Sequence, residues 1–197
     1  MHRNSQKRFQ IPSHVYFLTV KTHQGFPYSQ EKVLCELFME ELRLCQELKK
    51  FELFAFCLNL DHFHLLLRPG VMANISEIMH FLKRNFSRDA NKIILGFDYN
   101  EGDIPKCRRS NGIDKYDRIG DDMDRRLRIY RFKFLQKHPS NSFPQFKWQK
   151  SFHDHIIRGD KDFEKHFDYT VHNFRKHNLP EDWKYSSENF PELIVNF

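Results

Sequence analysis

Residues 54–69 read FAFCLNLDHFHLLLRP. Two apolar runs, 51–58 and 62–68, flank Asn59-Leu60-Asp61. Asn and Asp tolerate turn geometry, so the stretch predicts an antiparallel hairpin, stopped by Pro69-Gly70. On a strand, residues two apart share a face. His62 and His64 then stand side by side while Phe63 enters the core. Paired imidazoles are a metal-ligand arrangement. Taken alone the pattern favours a structural role, because short His-x-His spacings arise by chance in a chain with 12 histidines.

Working outward, residues 14–21 (HVYFLTVK) alternate faces with β-branched and aromatic side chains and predict a strand. Leu34, Leu37, Phe38, Leu44, Cys45 and Leu48 fall at helical spacing over 30–50. Asn74 is placed to cap a helix over about 75–93, with Ile75, Ile78, Met79, Leu82 and Phe86 on one face. Its other face carries Lys83, Arg84 and Arg88. Residues 96–146 are dense in charge and turn formers and read as an insertion, with a helix over 121–137. The Asp-rich run from Asp114 to Asp124 lacks the alternating ligands and central glycine of a calcium loop. Residues 146–158 regain strand-like texture until Gly159-Asp160 breaks it. A helix capped by Asp160 or Asp162 then runs to about His177, before an irregular tail packed on the domain. The pattern is α+β: one domain over 1–197, a ferredoxin-like antiparallel sheet with helices on one face, plus the charged insertion.

Composition sets the partners. The chain has 197 residues, 40% hydrophobic and 29% charged, with 21 phenylalanines and a formal net charge of +6. That is enough apolar area for one core and a bias toward polyanions. No stretch approaches the roughly 20 apolar residues of a membrane span, and the polar N-terminus has no signal-peptide core. Cys35, Cys45, Cys57 and Cys107 form no CxxC pair and read as reduced, mostly buried thiols of a cytoplasmic protein.

The second chemical feature is DYTVHN at 168–173. On one continuous helix Tyr169 and Asn173, four apart, share a face. Asn173 would offer an amide oxygen to a cation beside the Tyr169 hydroxyl. A tyrosine packed on a sheet is the commoner role for such a residue. The two features gain force from a resemblance. HVYFLTVKTH at 14–23, FAFCLNLDHFHLLLRP, LKRNF at 82–86, WQKSFHDHIIRGDKDF at 148–163, DYTVHN and WKYSS at 183–187 together resemble the REP-associated tyrosine transposases, single-tyrosine HUH endonucleases. The resemblance leaves 96–146 uncovered.

It implies a single-stranded DNA endonuclease and strand transferase that binds hairpin-forming repetitive palindromes and cleaves through a 5′-phosphotyrosine. His62, His64 and Asn173 would hold Mg²⁺ or Mn²⁺, and Tyr169 would be the nucleophile. Two departures stand out: Asp61 where relatives usually have Asn, and Phe174-Arg175 in place of a proline-containing continuation. The partner would be single-stranded or hairpin DNA, not a membrane, with the protein a monomer or homodimer. Lys83, Arg84, Lys147 and Arg158 flank the site as phosphate contacts, and Lys7 and Arg8 form a candidate arm. Arg125 and Arg126 belong to a run that interleaves cations with aromatics, the texture of single-strand binding and equally of a solvated helix with a core stripe. His153 and His155 read as structural or DNA-facing, and His166, His172 and His177 as surface residues. The alternative reading is a non-catalytic single-stranded DNA- or RNA-binding module of the same fold.

Overall fold

The structure, a computed structural model, describes residues 11, 13–96, 115–140 and 143–195, and for 115–121 the backbone alone. Lys7, Arg8 and Cys107 lie outside the described residues.

The first strand, β1 (Tyr16–Lys21), leads to α1 (Lys32–Lys49), the hairpin β2 (Glu52–Leu58) and β3 (His62–Arg68), and α2 (Ile75–Leu95). Asn74 caps α2: its side chain accepts from Ser76 N and Glu77 N, while Glu77 reaches back to Asn74 N. That reciprocal box fixes where the helix begins. Then come α3 (Lys115–Lys137), β4 (His153–Ile156), α4 (Asp160–Val171) and the single turn α5 (Asn173–Lys176). The sheet is antiparallel with order β2-β3-β1-β4. This is the ferredoxin-like β-α-β-β-α-β arrangement.

The pleat of β3 sorts the two sides. Phe63, Leu65 and Leu67 join Leu18, Leu34, Phe38, Leu82 and Phe86 in the large core under α1 and α2. Leu66 turns the other way, into a smaller cluster with Val15, Ala55, Ile157 and Val171, lined by Phe17, Phe163 and Phe167. The helices α1 and α2 cover one face as expected, and α4 adds a cover to the opposite one. The histidines of β3 share the side of Leu66.

Three elements depart from the sequence reading. The strand-like run 146–158 yields four β4 residues, because Trp148 makes an isolated bridge to Thr22 and turns its ring toward Phe63 and Phe86. The helix inside the insertion is longer than 121–137, and its Leu127 and Phe134 are buried in the main core. The last helix does not run unbroken to His177. It stops at Val171, His172 takes φ −97° and ψ 10°, and a new turn starts at Asn173. Nor does Asp160 or Asp162 cap α4; Gly159 holds that position at φ 155°, where a side chain would be strained.

Cys35, Cys45 and Cys57 are free and buried. Burial pushes each thiol up to about 12, so they are inert packing groups. Among the described residues no helix is long and apolar enough to cross a membrane. The tail packs by single backbone bonds on β2, Leu58 N to Tyr185 O and Val195 N to Leu53 O.

Candidate metal and tyrosine site

The strand β3 turns His62 and His64 toward α4, with ring centroids 4.9 Å apart. Both are buried, at 6% and 4% exposure. The Nδ1 of each is held by a neighbour. His62 Nδ1 lies 2.6 Å from Asp61 Oδ1. A carboxylate acceptor there fixes the Nδ1–H tautomer and leaves Nε2 as a lone pair. Asp61, the departure from the usual Asn, thus orients the first histidine. Across the ladder, Thr19 pairs with His64, and its Oγ1 is 2.9 Å from His64 Nδ1. His64 Nε2 is buried with no hydrogen-bond partner.

The break at His172 brings α5 into the same space. Asn173 is fully buried, and its Oδ1 accepts from Asn59 Nδ2 at 2.9 Å. The same Asn59 nitrogen is 3.1 Å from His62 Nε2. Two Lewis-basic atoms, one from β3 and one from α5, therefore face a single amide. Asn173 Nδ2 has no partner. His64 and Asn173 are side-chain neighbours close enough to interact, but His64 Nε2 and Asn173 Nδ2 make no well-formed hydrogen bond, an arrangement that is costly in a buried spot.

Tyr169 comes from the last turns of α4. Its ring meets His64 edge-on at 5.4 Å and Phe17 at 5.7 Å. Phe17 in turn stacks on His64 at 5.2 Å. Lys176 Nζ stands 4.0 Å over the Tyr169 ring, a cation–π contact. The four sequence-predicted residues His62, His64, Tyr169 and Asn173 thus lie together, although the helix carrying the last two is broken.

Burial keeps His64 uncharged. Burial, with His62, His177 and Lys21 nearby, pushes His64 down to about 3. His177 is exposed, as the sequence reading had it, and its ring also packs on His62 with centroids 4.6 Å apart. It too is held below the usual imidazole range, by burial first and His62 second. Sequence reasoning missed Asn59, seen there as a turn former, and Lys176 and His177, which α5 and the turn after it bring in. The one available signal was density: three polar residues, Asn59, Asp61 and His62, around one tight turn.

The predicted DNA contacts fall in separate places. Lys83 and Arg84 of α2 and Lys147 line one groove of about 590 Å³ with Trp148 and Lys150. Lys83 Nζ donates to Gln149 O at 2.8 Å, and Trp148 Nε1 donates to Lys83 O, tying the two walls. Arg158 borders a second hollow with His155 and Lys161. Arg126 pairs with Glu40 and Asp122 on the helical side of the sheet, where α3 packs on α1 and α2. Arg125 is exposed on the same helix.

The chain is similar to known transposases in sequence and in fold. Residues 7–99 match the family described as "Transposase IS200 like", and the hairpin with its two histidines lies within the matched stretch. A Haemophilus influenzae protein bearing the name REP-associated tyrosine transposase is 30% identical over 141 residues, 70% of this chain. The match spans 58% of that relative's length. A solved REP-associated tyrosine transposase, bound to a REP hairpin, has the same fold: TM-score 0.58 and 16% identity over 94% of this chain and 82% of the other. The resemblance to REP-associated tyrosine transposases therefore holds in sequence and in fold.

In the metal-free protein the ring resonances of His64 should stay those of a neutral imidazole from about pH 8 down to about pH 4. Carbon-detected NMR of the histidine rings checks this, and a His64 midpoint near 6.5 would contradict the burial.

Proposed function

We propose that the chain is a divalent-metal-dependent endonuclease and strand transferase for single-stranded DNA, acting on hairpin-forming repetitive palindromes with Tyr169 as nucleophile. The observation that carries this reading is the edge contact of Tyr169 on His64, whose outward nitrogen is buried and unpartnered. A nucleophile candidate beside an unused ligand atom is what metal-assisted phosphoryl transfer requires.

The residues fit a divalent ion. His62 Nε2 and His64 Nε2 are lone-pair nitrogens, and the Asn173 amide supplies an oxygen. Two imidazoles and one amide oxygen suit Mn²⁺ better than Mg²⁺. When bound, such an ion would draw charge from the scissile phosphate oxygens. Asp61 and Thr19 hold the imidazoles in orientation, and Asn59 holds Asn173. Tyr169 would attack phosphorus as the P–O3′ bond breaks. The products are a 5′-phosphotyrosine and a 3′-hydroxyl. The phenol gives up one proton and the departing 3′ oxygen gains one. The phosphodiester is conserved, so rejoining needs no nucleotide cofactor. Lys176 adds positive charge above the ring that the phosphate must approach. Tyr169 meets His64 of its own chain. The unpaired buried thiols suit a reducing compartment such as the cytoplasm.

The same reading assigns the groove of Lys83, Arg84, Lys147 and Trp148 to the nucleic-acid backbone and an unpaired base. The Arg126 ion pairs argue against a direct role for that residue.

Incubation with hairpin-bearing single-stranded DNA and Mn²⁺ should give a covalent protein–DNA product that survives denaturation. Tyr169→Phe should abolish it while hairpin binding persists. Covalent product from Tyr169→Phe would overturn the nucleophile assignment, and hairpin binding with no covalent product from the parent protein would favour the non-catalytic module. Arg84→Ala with Lys147→Ala should lower the slope of log affinity against log salt concentration for hairpin binding by about one per cation removed, with Arg125→Ala leaving it unchanged. Equal slopes in fluorescence anisotropy titrations would remove the groove from the interface.

A further inference from the structure

A second group of ligand-type side chains lies on the same side of the sheet, beyond Phe17. His155 of the edge strand β4 pairs with Phe17 in the ladder. Its Nε2 is 2.9 Å from Asp162 Oδ2. Asp162 sits in the first turn of α4, and His166 one turn later. His166 Nδ1 is 3.0 Å from Asp162 Oδ1 and 2.8 Å from Asp162 O. The two imidazoles are stacked, centroids 4.6 Å apart and planes at 19°. One ligand atom from each of the three residues lies within 4.8 Å of the others. The Phe17 ring separates this group from the first site, touching His166 at 4.9 Å and His64 at 5.2 Å.

We propose that His155, Asp162 and His166 form a second metal site, distinct from His62 and His64, that takes a transition-metal ion of the Zn²⁺ class. Two neutral imidazoles and one carboxylate are three of the four ligands of a tetrahedral zinc centre, with solvent as the fourth. Entry is open: the side chains of His155, Asp162 and His166 are 40%, 25% and 17% exposed. The polar hydrogens that now join the rings to Asp162 move to the other ring nitrogens on binding, so no net proton transfer is needed. Arg158 N also donates to Asp162 Oδ2 at 3.0 Å, which holds the carboxylate in place as an outer partner.

The location gives the ion a structural role. It would tie β4, an edge strand, to α4, three residues before Tyr169. Fixing His166 fixes the rotation of the helix that presents Tyr169 to His64. Binding itself does not depend on the role proposed for Tyr169.

The test uses the full chain, stripped of metal, in the background His62→Ala/His64→Ala, titrated with Zn²⁺ by calorimetry. One equivalent should bind with micromolar affinity or tighter. Adding His155→Gln, a change at a 40% exposed edge-strand side chain, should weaken it at least ten-fold, and adding His166→Gln should do the same. Circular dichroism confirms that each variant remains folded. Co²⁺ should give the visible absorption of a tetrahedral site in the double variant and lose it with His155→Gln. Absence of Zn²⁺ binding in the double variant, or binding unchanged by both glutamine substitutions, would overturn the proposal.

Discussion

The two-residue period of β3 is the constraint on which the rest depends. Phe63 is fully buried against Phe38 and Trp148, and removing a buried Phe typically costs about 3–5 kcal/mol. A slip of one residue would exchange Phe63 for the histidines and bury two imidazoles in an apolar core. The register is therefore fixed by packing, and the packing fixes where the imidazoles point. Ladder partners complete the arrangement, since Thr19 lies opposite His64 and Lys21 opposite His62.

What the strand presents, the second helical layer completes. The apolar cluster of Leu66, Ala55, Ile157 and Val171 seats α4 on the sheet, and Phe17 lies among His64, His166 and Tyr169. Thr170 Oγ1 donates to His166 O at 2.6 Å close to where the helix stops. The interruption at His172 lets Asn173 and Phe174 both turn inward. Asn59 then links the hairpin turn to α5 through a single amide. The site is a junction between a strand, a turn and a helix break, each held by its own packing.

Much of this was legible in the residues. The alternation in 14–21, the two apolar runs joined by the turn at Asn59-Leu60-Asp61 and the Asn74 cap all rest on local rules, and all three appear in the structure. The pairing of His62 with His64 follows from strand geometry alone. The end of α4 was not legible. No Gly or Pro marks position 172, and the break is set by the burial of Asn173 and Phe174, a tertiary effect. The same holds for His177, which reaches His62 only because α5 is one turn long. The extent of α3 was hidden because its first turns, 115–121, are charged and lack apolar periodicity, while Leu127 and Phe134 carry its packing. The short β4 reflects the competition for Trp148 between sheet and core.

The central claim is that His62, His64 and Asn173 converge on one cation beside Tyr169. Crystals grown with Mn²⁺ and measured at the manganese absorption edge test it most directly. The account predicts an anomalous peak within about 2.0–2.3 Å of His62 Nε2, His64 Nε2 and the Asn173 side-chain oxygen. A peak elsewhere, with Asn59 still bridging His62 and Asn173 and His64 Nε2 still unpartnered, would contradict it.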